Sequence, residues 1–321
     1  MTDTGLDGGV ATAAGHAPAA GRAPAAGHAA AGSLAPVGGL AAADSPAADS
    51  PAVDMNALLG GHDILFVTLD TLRYDVAAEL AAQGRTPHLA RVLPGGRWER
   101  RHTPASFTYA AHQAFFAGFL PTPTTPGRHE RLFAAAFPGS ETSTGRTWVF
   151  EEADVVTALD RAGYHTLCLG GVGFFNRASA LGRVLPDLFA EHHWRPEFGV
   201  THPDPLRAQL NQLRDSIAAL PADRPLFTFL NVAALHQPNR HYLPGLAEDG
   251  RASHAAALAY VDTRLPELFA LLTGRGRPCF AIVCADHGTA YGEDGHTGHR
   301  LGHEVVWTVP YAHFTLRPGE W

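Results

Sequence analysis

The sequence predicts an α/β fold with a mainly parallel central sheet. Two observations carry the prediction. Short apolar runs of strand length alternate along the chain with longer segments of helical period. Two of those runs, ILFVTLD and FAIVCAD, each end in an aspartate, Asp70 and Asp286. Open parallel sheets bind ligands beyond the carboxyl ends of their strands, so the two aspartates are expected on one sheet edge.

Residues 1–54 differ in composition from the remainder of the chain. They repeat Ala, Gly and Pro (GHAPAAGRAPAAGHAAAG, then ADSPAADSPAVD) and carry few large apolar side chains. Burial cannot offset the ordering entropy of such a segment. A disordered tail is therefore expected over 1–54, with a globular domain over 55–321. The tail lacks the basic start and unbroken apolar stretch of a secretory signal. No segment has the roughly 18 consecutive apolar residues of a membrane span, so a cytoplasmic protein is expected.

Within the domain, Asp63–Leu69 is a short, mainly apolar run ending at Asp70 and reads as a buried strand. Residues 151–162 have helical spacing through Val155, Val156 and Leu159, closed by Gly163. His165–Leu169 is a second strand. Residues 205–220 form an amphipathic helix on Leu206, Leu210, Leu213, Ile217 and Leu220. Residues 225–232 are a third strand. Residues 253–272 make a long helix in which Pro266 predicts a kink. Residues 279–285 are a fourth strand, leading into Asp286.

Composition narrows the chemistry. All 24 basic residues are arginine and there is no lysine. That excludes a lysine Schiff base and a phosphate-loop lysine. Net charge is −7 with neutral His, so no basic surface for nucleic acid is expected. The three cysteines, Cys168, Cys279 and Cys284, are odd in number and lack a paired spacing. They read as thiols in a reducing compartment rather than as a disulfide framework.

The stretch DHGTAYGEDGHTGHRLGH gathers Asp286, His287, Glu293, Asp294, His296, His299 and His303. Carboxylates and imidazoles together suit a Zn²⁺ or Mn²⁺ site. Glycines at 288, 292, 295, 298 and 302 describe a tight loop. The plainer alternatives are a surface His-rich loop, and aspartates that only open turns or cap helices.

These blocks, in this order, resemble the sulfatase-like branch of the alkaline phosphatase superfamily. ILFVTLDTLRYD resembles its opening strand and metal-binding aspartate. TPHLARV resembles its threonine-proline-asparagine-leucine segment. SFTYAAHQAFFAGFLP resembles the nucleophile block, FTFLNVAALHQPNRHYLP the strand before a histidine-x-proline motif, and CADHGTAYGEDGHTGH the aspartate-histidine-glycine block with its downstream histidine. The resemblance covers about residues 62–312 and implies a three-layer α/β/α sandwich. It implies Asp70, Asp286 and His287 as metal ligands, and Thr108 as a nucleophile that also touches the metal. His236 is implied as the substrate-side histidine and His299 as the downstream one. Arg73 and Asp75 match family positions with a structural role, and His112 reads as packing or support. It also implies one divalent ion, Zn²⁺ or Mn²⁺ before Mg²⁺ or Ca²⁺, with a second possible. Asp204, His236 and His241 are candidates for that second ion, and His236 with His299 offers another route to it.

The departures from the family pattern matter as much. True sulfatases carry a cysteine or serine in a Cys/Ser-x-Pro-x-Arg setting that becomes formylglycine. Here the stretch is Thr108-Tyr109-Ala110-Ala111-His112, and threonine cannot become formylglycine. The lysines that many sulfatases place around sulfate are missing too. A threonine nucleophile resembles the superfamily's phosphodiesterases, phosphoethanolamine transferases and lipoteichoic acid synthases. The implied activity is hydrolysis of a phosphodiester or phosphomonoester, a small anionic substrate. The alternatives are a phosphoryl or phospho-alcohol transferase on a soluble acceptor, a sulfatase, and an inactive binding homologue. Oligomeric state stays open.

Overall fold

The computed structural model describes residues 53–117, 133–135, 148–150 and 154–321. Its central sheet has seven strands: β1 (Asp63–Leu69), β2 (Glu99–His102), β3 (His165–Leu169), β4 (Glu191–His193), β5 (Leu226–Val232), β6 (Cys279–Cys284) and β7 (Thr308–Leu316). Their order across the sheet is β2-β7-β6-β1-β5-β3-β4. The block from β6 to β4 is parallel, and β7 runs antiparallel to both β6 and β2. The mainly parallel α/β fold expected from sequence is the fold observed. All but the last two residues of the expected tail, 1–54, lie outside the described residues.

The two faces of the sheet read directly off the period of two in β1. Leu65, Val67 and Leu69 face one core, packed under α1 (Tyr74–Ala82), α2 (Pro87–Val92) and later helices. Ile64 and Phe66 face the other, against α3 (Thr108–Phe116) and α4 (Val155–Arg161). The first core is completed by Leu206, Leu210 and Leu213 of α5 (Pro205–Ala219) and by α6 (Arg251–Thr273). Helices on both faces of one sheet make the three-layer sandwich.

Element boundaries lie within two residues of their sequence expectation, and 63–69 and 165–169 match it, apart from the helix expected over 151–162. Residues 151–153 lie outside the described residues, and α4 starts after Asp154, whose Oδ1 accepts from Thr157 N at 2.7 Å. α6 continues through Pro266 as one helix. Three strands had no sequence signal. β2 and β4 are short, polar and partly exposed, and β7 holds Pro310 inside a mixed polar and apolar run. All three cysteines are buried free thiols.

Asp63 anchors the base of β1. It is fully buried; its Oδ2 accepts from Arg275 Nε at 2.7 Å, and its Oδ1 from Leu226 N at 2.9 Å and Arg277 Nε at 3.2 Å. The Arg275 side chain is only 2% exposed. Removing the carboxylate strands a buried guanidinium, which costs about 3–5 kcal/mol. Asp63→Ala is expected to lower the unfolding free energy in urea by that amount, and a loss below about 1 kcal/mol would show the pair to be inert.

Candidate metal and nucleophile site

β1 and β6 are neighbours and both deliver an aspartate past their carboxyl ends. Asp70 N still donates to Val232 O of β5 at 3.1 Å, so its backbone is held by the sheet. The next residue, Thr71, adopts φ +65, a costly conformation for a β-branched residue. Its N–H donates to Asp286 Oδ1 at 3.2 Å, so the strained turn ties one strand end to the other. Asp286 Oδ1 also accepts from His287 N at 3.0 Å, and Thr103 Oγ1, just beyond β2, donates to Asp286 O. Gly288 permits the tight turn after His287: a Cβ there would sit 2.0 Å from Val305 O.

Asp70, Asp286 and His287 offer ligand atoms that all lie within 4.8 Å of one another, and all three residues are buried. His287 Nδ1 lies 2.9 Å from Gly288 O. A carbonyl only accepts, so Nδ1 carries the proton and Nε2 presents its lone pair to the site. Asp70 Oδ1 and Asp286 Oδ2 are buried without hydrogen-bond partners. Burial raises both carboxyl pKa values above the usual range, and for Asp70 the neighbouring Asp286 charge raises it further. Burial lowers that of His287. Two orphaned carboxylate oxygens beside an imidazole lone pair fit a divalent cation, because a cation is the partner they lack. The residues present thus fit a divalent metal.

Thr108 stands beside this group. It is the first helical residue of α3, and the cap position belongs to Phe107. The Thr108 hydroxyl therefore makes no capping bond and faces the carboxylates. Oγ1 lies 3.5 Å from Asp70 Oδ2 and 3.3 Å from His287 Nε2. The unpaired N–H groups of a helix's first turn favour an anion near such a hydroxyl.

His299 and His236 stand on the open side. The His299 ring lies 4.6 Å from that of His287 and 5.5 Å from that of His236. Burial, then the nearby His287 and His236, push His299 down to about 3. His236 Nδ1 contacts Gln237 O at 2.6 Å, which leaves Nε2 to face outward chemistry.

The other candidates go elsewhere. Arg73 is bidentate to Asp75 at 2.9 and 2.7 Å and also donates to Glu293. It is a buried, neutralised strut between α1 and the loop after β6. His303 pairs with Asp294 at 3.1 Å, and His296 lies on the exposed side of that loop. Asp204, considered for a second ion, is taken up by the Tyr260 hydroxyl and by Arg264 at 2.7 Å. His241 packs its ring 4.1 Å from Tyr242. Neither belongs to the Asp70 group, because each has a neutral or cationic partner of its own.

Residue-by-residue reading missed Asn231 and Thr68. Asn231 Nδ2 donates to Asp70 Oδ2 at 3.3 Å and to Thr68 Oγ1 at 3.1 Å. The available signal was a polar residue near the end of each of two mainly apolar strands, at paired positions in the register.

An open α/β sheet that gathers two aspartates, a histidine and a threonine hydroxyl beyond its central strands is the arrangement of a sulfatase-like fold of the alkaline phosphatase superfamily. The chain belongs to the sulfatase family, whose model matches residues 62–311. Solved structures agree on the fold. The soluble domain of lipooligosaccharide phosphoethanolamine transferase A from Neisseria meningitidis is 15% identical with a TM-score of 0.55, covering 79% of this chain and 76% of that one. The periplasmic domain of the phosphoethanolamine transferase EptC from Campylobacter jejuni is 12% identical with a TM-score of 0.52, covering 79% of each. The periplasmic domain of EptC from Escherichia coli, solved as a complex with Zn, is 11% identical with a TM-score of 0.52, covering 80% of this chain and 73% of that one. No curated protein matches the chain. Among the described residues no helix is long and apolar enough to cross a membrane.

Proposed function

We propose that the protein is a metal-dependent phosphoric ester hydrolase that uses Thr108 as its nucleophile on a small phosphodiester or phosphomonoester. One observation carries the reading: the Thr108 hydroxyl, at the start of a helix, lies 3.3 and 3.5 Å from two of the three grouped donors. Asp70, Asp286 and His287 would hold the ion, with the Thr108 oxygen beside it. When bound, a divalent ion supplies Lewis-acid stabilisation of a phosphoryl oxygen and favours the alkoxide of a neighbouring hydroxyl.

The chain's own residues do the rest. Thr108 Oγ forms a bond to phosphorus as the bond to the leaving oxygen breaks, giving phosphothreonine. The first-turn N–H groups of α3 stabilise charge on the equatorial oxygens. His236 protonates the departing alcohol, and His299, kept neutral by burial and its histidine neighbours, donates an N–H to an equatorial oxygen. Water then attacks phosphorus and returns Thr108. With no lysine in the chain and Arg73 neutralised, these groups carry the electrostatic work.

A second reading replaces the final water with an alcohol or amine, making a transferase. It is favoured by the names of the similar structures, two kinds of phosphoethanolamine transferase. The test is an ester panel with Zn²⁺ or Mn²⁺: p-nitrophenyl phosphate, its bis ester and p-nitrophenyl sulfate, with and without chelator. Chelator-sensitive phosphate release is the expected result. Sulfatase activity that survives Thr108→Ala would reject the reading. A phosphorylated product formed from added glycerol or ethanolamine would select the transferase.

A further inference from the structure

We infer that His112 is a positioning residue for Thr108, acting through a closed ring of hydrogen bonds that also holds Asp70. The inference rests on the reading of Thr108 as nucleophile. His112 is fully buried, one helical turn after Thr108. Its Nδ1 lies 2.7 Å from Thr108 O and its Nε2 lies 2.9 Å from Thr68 Oγ1. The directions of these bonds are fixed. A carbonyl only accepts, so His112 Nδ1–H donates to Thr108 O and Nε2 accepts the Thr68 hydroxyl proton. The Thr68 oxygen then accepts from Asn231 Nδ2 at 3.1 Å. The same amide nitrogen gives its second proton to Asp70 Oδ2 at 3.3 Å, and Thr108 Oγ1 closes the ring to that oxygen at 3.5 Å.

Asn231 is itself clamped. Its Oδ1 accepts from Val172 N at 3.0 Å and its backbone O from Gln209 Nε2 at 2.9 Å. Phe115, Phe116, Phe175 and Phe229 surround the His112 ring, with centroids 5.3–6.1 Å away. That cage keeps water off the ring, and burial pushes His112 down to about 3, which keeps it neutral. An imidazole needed only for packing in such a cage would cost desolvation with no return. Here both nitrogens are used. The ring joins the first turn of α3 to β1, two residues before Asp70. It fixes where Thr108 Oγ sits relative to the carboxylates, and small misplacements of a nucleophile cost rate rather than affinity.

The test uses Thr68→Val, His112→Leu and His112→Asn in the full chain, with p-nitrophenyl phosphate as substrate. Thr68→Val is nearly isosteric and removes one hydroxyl from the ring. Thr68→Val and His112→Leu are each expected to lower kcat roughly 10- to 100-fold, with KM and bound metal per chain within about twofold of wild type. The amount of phosphate found on Thr108 after acid quench falls in parallel. His112→Asn keeps an amide N–H for Thr108 O and is expected to recover part of the loss. The Thr68→Val/His112→Leu pair is expected to be no worse than its worse member, because both break one ring. Unchanged kcat in folded Thr68→Val, or losses that only follow metal content and thermal stability, would overturn the positioning role. Failure of the underlying reading looks different: the wild type would then show no phosphate on Thr108, and Thr108→Ala would turn over normally.

Discussion

Thr108→Ala is expected to lower kcat by roughly 10⁴- to 10⁶-fold while the protein stays folded and keeps its metal. The size comes from what the residue does. In the proposed mechanism its hydroxyl forms the bond to phosphorus, and among the described residues no other hydroxyl lies within hydrogen-bond distance of both Asp70 and His287. The fold should tolerate the change. Thr108 makes no capping bond, alanine is a good helix former, and the cap of α3 rests on Phe107. Asp70 Oδ2 keeps its bond from Asn231, so the carboxylate group stays placed. Measured kcat, metal content and thermal midpoint together check this: a large fall in the first with little change in the other two. A fall of less than about tenfold would move the nucleophile elsewhere.

Asp286→Asn is the second large effect, and its sign on stability depends on the metal. The substitution is isosteric. An amide oxygen can still accept from Thr71 N and His287 N, so the turn that joins β1 to β6 is retained. What is lost is the negative charge and the lone pair of Oδ2, the orphaned atom that faces the site. Metal content is expected to fall from about one per chain to near zero, and turnover with it. In chelator the order of stability reverses. Wild type then holds two buried carboxylates side by side, Asp70 and Asp286, each raised by burial and Asp70 raised further by Asp286. The variant removes one of them, so metal-free Asp286→Asn should be more stable than metal-free wild type by about 1–3 kcal/mol. Thermal unfolding of both proteins with excess Zn²⁺ and with chelator reads the crossing. Parallel curves, or unchanged metal content, would remove Asp286 from the ligand set.

The fold was legible where the sheet is buried on both faces. β1, β3, β5 and β6 are short apolar runs because water reaches neither side of them, and each lies within a residue or two of its expected place. β7 was not legible, because Pro310 interrupts it and its outer residues are half-exposed. β2 and β4 are polar edge strands whose pairing depends on distant partners that no local pattern encodes.

The site divides in the same way. Asp70 and Asp286 were legible as strand-end aspartates, and the blocks around them supplied Thr108. The His-rich loop offered more candidates than one site can hold. Folding separates them: Asp286, His287 and His299 stay with the group, Glu293 turns back to Arg73, and Asp294 pairs with His303 outside. Thr68, Asn231 and His112 were hard to read because their roles exist only in pairs. A lone polar residue in an apolar strand carries no sign of which neighbour it will meet, and register alone brings Thr68 opposite Asn231.

The central claim is a covalent phosphothreonine, and mass spectrometry of the quenched enzyme tests it most directly. Metal-loaded protein is mixed with p-nitrophenyl phosphate, stopped in acid within a turnover and digested. The account predicts one added phosphoryl group on the peptide that carries Thr108, absent in chelator and absent in Thr108→Ala. Full turnover with unmodified Thr108, or with phosphate on another residue, would contradict it.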